Sequence, residues 1–401
     1  WFALMALDSS APANPTYDVR ATAAATGISG EAKILAIGGL NGSSVQGSST
    51  LIDGPYPAKT TMATLSTGLP AGDNVVLAVV ESINDVDNTA RRDIRNCRLN
   101  LQSGSTLAEN EYYMFHDLSA NVGRWHVHLI PYLHVGAPAN PTYNVTCTAD
   151  TSGKIHGRAT IVAFSKGSLS AAYSDSPSIN IGTSETVINK LNTNFGAGSE
   201  VAVIASEQLW NMDTSNYNSI NAGLNKLQQN NASTGQTTNQ YTITYPLYSA
   251  ADNGKGFGLL NRFTNTPSSP QYEVKATKSS TYSVNGEAKI LALACKSQTL
   301  LTFSSKYVIA STTAVTTSST SLQNDTQAAQ TFSLPESKTV LVIYQANNVH
   351  GDAMPLGGMQ NAIYVDGTDY AKSWDGPFDT TYCTRNTVFW IGTLGSGSHT
   401  I

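Results

Sequence analysis

The densest grouping of chemistry-bearing side chains is Trp125-His126-Val127-His128, with His116 before it and His134 after it. On a strand, alternate residues face the same way, so His126 and His128 present two imidazoles to one side, the arrangement in which a metal ion is shared. A barrel-type metal site of that kind also needs a nearby carboxylate, and no Asp or Glu occurs between His128 and Asp150. These histidines are therefore read as structural or surface groups. Asp85, Asp87, Asn88 and Asp93 form a second cluster whose oxygens could hold calcium, but the spacing lacks the terminal Glu of a 12-residue calcium loop. It is read as a solvated turn. The sequence has no GxSxG elbow, no Walker glycine loop and no HExxH pair. The expectation is a chain that is not an enzyme and that calls for no cofactor and no metal.

Charge narrows the partners. Of 401 residues, 23 are Lys or Arg and 28 are Asp or Glu, a net charge of -5 with no basic run. Nucleic acid and anionic membrane surfaces both demand a concentrated positive footprint, so neither is expected as a partner. The longest apolar runs fall well short of the roughly 20 residues that span a bilayer, so no membrane span is expected. A composition rich in Ser, Thr, Asn and Gly favours short strands and turns over long helices.

The elements that would position any site are organised by repeats. APANPTY occurs at 11 to 17 and again at 137 to 143, with a looser copy, PSSPQYEV, at 267 to 274. GEAKILA occurs at Gly30 to Ala36 and at Gly286 to Ala292, and its middle copy at Gly157 to Ala163 has drifted to GRATIVA. Each period also holds a β-branched run after a turn: VVLAVV, VAVIAS and VLVIY. Such runs read as strands buried on both faces. Asn41-Gly42, Asn285-Gly286 and Asp366-Gly367 are turn signals. The segments Ile188 to Phe195 and Ile220 to Gln229 carry the only helical periodicity and are read as a local insertion. The expected fold is all-β: three tandem β-sandwich domains, immunoglobulin-like or jelly-roll, preceded by an N-terminal strand and linker. The boundaries drawn from the repeats are 1-28 for the strand and linker, then 29-154, 155-284 and 285-401 for the sandwiches.

Several modifications are expected of an exported chain, and a sequence that begins at Trp1 fits removal of an export signal. Sequons stand at Asn41, Asn144, Asn231 and Asn324. Asn41, Asn231 and Asn324 fall in polar, turn-like stretches, while Asn144 is expected to face outward from a strand between Tyr143 and Val145. The cysteines, Cys97, Cys147, Cys295 and Cys383, show no CxxC spacing. Pairing inside domains would join Cys97 to Cys147 and Cys295 to Cys383.

The front of the chain carries one strand too many. WFALMAL precedes the first APANPTY as WHVHLIPYL precedes the second, yet this sequence holds no earlier sandwich that it would be expected to finish; VFWIGTL, at Val388 to Leu394, is the third counterpart. Alternation sets Trp1, Met5 and Leu7 on one face and Phe2 and Leu4 on the other, so both faces are apolar and the strand wants a buried slot. In its architecture the chain resembles subunits of extracellular, pilus-like fibres assembled by donor-strand complementation. The resemblance implies a structural subunit of a helical, cell-surface filament, a head-to-tail homopolymer bearing glycans. The segment Trp1 to Leu7 would enter the third sandwich of a neighbour, and Tyr17 and Val19 would anchor the linker on the first sandwich of their own chain. The alternative is a monomeric adhesin or carbohydrate-binding array of complete sandwiches.

Overall fold

The computed structural model describes residues 7–8, 18–23, 29–38, 41–48, 50–52, 58–83, 92–110, 114–116, 125–149, 155–211, 225–230, 237–238, 254–263, 266–278, 283–295, 300–304, 323–324, 331–334, 336–349, 359–375 and 383–401. Among them every regular element is a strand. The N-terminal segment supplies β1 (Leu7–Asp8), β2 (Asp18–Ala23) and β3 (Ser29–Gly38). Then come β4 (Asn41–Gln46), β5 (Thr50–Leu51), β6 (Thr60–Ser66), β7 (Gly72–Ile83), β8 (Arg92–Leu101), β9 (Thr106–Asn110), β10 (Met114–His116), β11 (Trp125–Ala137), β12 (Thr142–Ala149) and β13 (His156–Ser165). The next run is β14 (Ser170–Asp175), β15 (Ile179–Ile181), β16 (Thr186–Asn192), β17 (Glu200–Asn211), β18 (Asn225–Asn230), β19 (Thr237–Thr238), β20 (Gly254–Phe263), β21 (Gln271–Ala276) and β22 (Val284–Cys295). The last is β23 (Leu300–Ser304), β24 (Gln323–Asn324), β25 (Thr331–Leu334), β26 (Lys338–Val349), β27 (Met359–Val365), β28 (Thr368–Asp375), β29 (Cys383–Leu394) and β30 (Gly397–Thr400).

The β-branched run of each repeat forms the centre of a long sheet. The order is β11-β7-β13-β4 in the first sandwich, β20-β17-β22-β14 in the second, and β29-β26-β3-β23 in the third. Strand β7 shows why the run carries no polar alternation. Its Val76, Ala78 and Val80 enter the core of the first sandwich with Tyr143, Val145 and Leu99, while Val75, Leu77 and Val79 face a second core shared with β17, β20 and β22. Leu341 of β26 joins that shared core, so the long sheets of all three sandwiches meet in it. A strand buried on both faces reads as a continuous apolar run.

The repeats place their strands one sandwich earlier than the sequence boundaries do. GRATIVA lies on β13, which pairs along its length with β7 and β4 of the first sandwich. The second GEAKILA lies on β22, between β17 and β14 of the second sandwich. The first GEAKILA lies on β3, which pairs with β26 and β23 of the third. The three copies thus occupy equivalent places, but the boundaries at 154/155 and 284/285 each fall one strand too early, and residues 29 to 38 do not belong to the first sandwich. Strand pairing is set by which hydrogen-bonding edge is open in three dimensions, and the repeat period is silent on that.

Two further expectations are corrected. The segment read as helical is strand: Ile188 and Leu191 of β16 are buried, and Thr186 to Asn192 pairs with β21. The bulge between Val187 and Asn189 brings Ile188 inward and breaks the alternation, which imitates a helical period. Asn285-Gly286 is no turn either, since both residues lie on β22 opposite Trp210 and Leu209. Asp366-Gly367 does turn the hairpin between β27 and β28, with φ of 47° and 82°, the left-handed pair that a two-residue hairpin loop requires.

Candidate strand-exchange joint

The third sandwich is completed from the other end of the chain. Strand β3 pairs from Gly38 opposite Val340 to Ser29 opposite Val349, and on its other edge with β23. Strand β2 pairs from Asp18 opposite Tyr364 to Ala23 opposite Met359, with β24 on its far side. Each therefore occupies an interior position, β3 in the long sheet and β2 in the opposing sheet. Strand β1 lies parallel to β29, with Leu7 opposite Ile391 and Asp8 opposite Gly392.

The equivalent strands of the other sandwiches show what these positions demand. On β13, Ile161, Val162, Ala163 and Phe164 are fully buried; on β22, Ile290, Leu291, Ala292 and Leu293 are too. The slots are apolar on both sides, and each large side chain buried there contributes about 1.5–3 kcal/mol before ordering costs. The side of the third sandwich that receives the N-terminal strands is lined in kind: Val340, Leu341, Val342, Ala362, Ile363 and Trp390 are all fully buried.

One strand position is shared between the two ends of the chain. In the first sandwich β12 runs unbroken between β6 and β8. In the third, β30 pairs with β25, and the Thr400 amide donates to Asp366 while the Asp366 amide donates to the Thr400 carbonyl. Strand β2 takes up the same line two residues further along β27, at Tyr364. Ile401 is buried at the meeting point. Beside it His399 is fully enclosed, with Nε2 2.9 Å from the Gly395 carbonyl, Nδ1 3.5 Å from Asp366 Oδ2, and its ring 5.6 Å from that of Phe332. Burial holds the imidazole below its ordinary pKa, and the bond to Gly395 opposes that only in part.

Of the residues expected to polymerise, Leu7 lies on β1 and Val19 on β2, opposite Ile363. Val19 thus sits on the third sandwich and not, as expected, on the first. Trp1, Phe2, Leu4, Met5 and Tyr17 fall outside the described residues. The pairing is within one chain, where the sequence reading placed the strand in a neighbour.

The sequons are dispersed. Asn144 stands half-buried on the outer face of β12, its side-chain oxygen accepting from Asn100 Nδ2 at 3.0 Å. Asn41 begins β4, opposite Ser165, and Asn324 lies on β24, opposite Arg20, so both are strand and not turn. Asn231 lies outside the described residues. His126 and His128 lie on β11 opposite Ser82 and Val80. Downstream, His134 has its Nδ1 3.0 Å from the Tyr143 hydroxyl, and Asn74 Nδ2 donates to the same oxygen at 3.3 Å. Cys97 and Cys147 meet in the first sandwich. Cys295 ends β22 and Cys383 begins β29, which puts them in different sandwiches and removes the premise of an intradomain pair.

No family model matches the sequence, and no curated protein matches it. Among solved structures, the chain is similar to a peptide-N(4)-(N-acetyl-beta-D-glucosaminyl) asparagine amidase at 9% identity, over 64% of this chain and 97% of that one, with a TM-score of 0.34. PNGF-II is similar at 7% identity, over 63% and 65%, with a TM-score of 0.28. The infectious bursal disease virus VP2 subviral particle follows at 11% identity, over 72% and 75%, with a TM-score of 0.24. An amidase stands among these neighbours, against the expectation that the chain is not an enzyme, and that expectation is withdrawn. A likeness this distant assigns no reaction in its place. The described residues contain no helix long and apolar enough to cross a membrane.

Proposed function

We propose that the protein is the subunit of an extracellular, cell-surface filament whose joints form when residues 1 to 38 of one copy occupy the third sandwich of the next. The observation that carries this reading is the origin of β2 and β3, interior strands of both sheets of the third sandwich that come from the opposite end of the chain. A sandwich completed by a distant segment makes the same contacts whether that segment belongs to its own chain or to another. Exchange therefore costs little beyond the connecting linker. Because the donor lies at the front of the chain and the acceptor at its end, exchange is head to tail and grows an open polymer. Glycan at the sequons would supply the hydration that a chain with only 13% charged residues lacks.

The second reading is a closed monomeric array, in which the same strands pair within a single chain. Negative-stain electron microscopy and light scattering of the secreted protein separate the two. Filaments that disappear when residues 1 to 38 are deleted support the joint. Filaments of normal length from the truncated chain, or a monomer at every concentration of the intact chain, overturn it.

A further inference from the structure

We propose that Cys97 and Cys147 are joined as a disulfide in the mature protein, a covalent staple confined to the first sandwich. They lie on the adjacent antiparallel strands β8 and β12, where the register shifts between Thr146 opposite Arg98 and Thr148 opposite Arg95. This bulge sets Asn96 and Cys97 together against Cys147 and turns both thiols into the core. Both residues are buried and the sulfur atoms are 2.9 Å apart as free thiols. Neighbouring positions on adjacent antiparallel strands lie at the Cα separations that a disulfide spans.

The reaction is thiol–disulfide exchange with a disulfide oxidant, either an oxidoreductase of the secretory route or oxidised glutathione. One cysteine thiolate attacks the oxidant's disulfide and displaces one of its thiols. The second cysteine then attacks the mixed disulfide and displaces the other. The protein loses two electrons and two protons, and the oxidant leaves as two thiols. Burial pushes the Cys147 thiol well above its ordinary range. The thiolate is therefore scarce once the sandwich has closed, and the bond forms before or during folding and resists reductants afterwards.

The equivalent places carry no such pair. Alanine stands at both donor positions: Ala276 opposite Asn225 in the second sandwich and Ala21 opposite Asn361 in the third. The strand that the proposed function requires to exchange is thus unstapled, while its counterpart β12 is fixed.

Peptide mapping of the full secreted chain tests this, with denaturation in N-ethylmaleimide and no reductant. The expected result is a cross-linked peptide pair containing Cys97 and Cys147, neither alkylated, that separates only after reduction of the unfolded chain. Alkylation of both without reductant, or a bond from Cys147 to Cys295 or Cys383, overturns the proposal. Neither result depends on whether filaments form. A second reading is available from Cys97→Ala with Cys147→Ala: if the pair is bonded, the variant unfolds at a lower temperature than the wild type under non-reducing conditions. An unchanged midpoint counts against the staple.

Discussion

At the scale of single residues, the glycines that open the GRATIVA segment and the second GEAKILA segment are explained by packing. A β-carbon on Gly157 would lie 2.6 Å from Met62 Cε, 3.1 Å from the Glu81 carbonyl and 3.2 Å from Ile52 Cδ1; one on Gly286 would lie 2.7 Å from Leu209 Cδ2. The backbone there is ordinary strand, so the constraint is space and not conformation. Gly157→Val should destabilise the first sandwich by roughly 1–3 kcal/mol, read as a lowered denaturation midpoint, with Gly157→Ala costing less because Met62 can give way. His399 gives a pH dependence. Its folded pKa lies below the ordinary 6.5. Between the two values the unfolded chain binds the proton and the folded chain does not, so stability is lost as pH falls through about 6.5. Asp366 is the charged group facing it. His134, also lowered by burial, acts in the same direction from the first sandwich. Melting temperatures taken between about pH 7.5 and 5 should fall, and His399→Gln should flatten that slope. An equal slope in the variant would place the pH dependence elsewhere.

Among elements, the interior strands decide cohesion. Withdrawing β2 and β3 would leave β26, β23, β27 and β24 with open edges, and exposed unpaired strand edges unfold or pair with other chains. Deleting residues 1 to 38 should therefore unfold the third sandwich while the first two, whose interior strands β13 and β22 remain, keep theirs. Hydrogen exchange resolved by peptide checks this: protection should vanish over 338 to 349 and persist over 200 to 211. A synthetic peptide spanning 18 to 38 should restore protection to 338 to 349. Protection retained without the peptide would mean that the third sandwich closes by itself. Much at this scale was legible beforehand, because the apolar runs at β7, β17 and β26 and the hairpin at Asp366-Gly367 are local signals. The strand β16 was not, since a bulge at Ile188 changes the face of one side chain and with it the apparent period.

For the whole molecule, the question is where the N-terminal strands pair when many copies are present. Exchange between chains is bimolecular and closure within a chain is not, so assembly should rise with concentration. Chains carrying an excess of the free 18 to 38 peptide should form shorter filaments, because the peptide caps open third sandwiches. Lengths unaffected by saturating peptide would show that the joint lies elsewhere. The sequence by itself determined the all-β class and the three-fold repetition, with the GEAKILA, GRATIVA and second GEAKILA segments in equivalent strands. These follow from composition and periodicity, which act over a few residues. Only the tertiary structure decided that each repeat closes the sandwich before it, that β3 crosses to the far end of the chain, and that Cys295 and Cys383 are parted. A strand's period fixes which side chains share a face, but its partner is whichever open edge the folded chain brings within hydrogen-bonding distance, and that edge can lie some three hundred residues away.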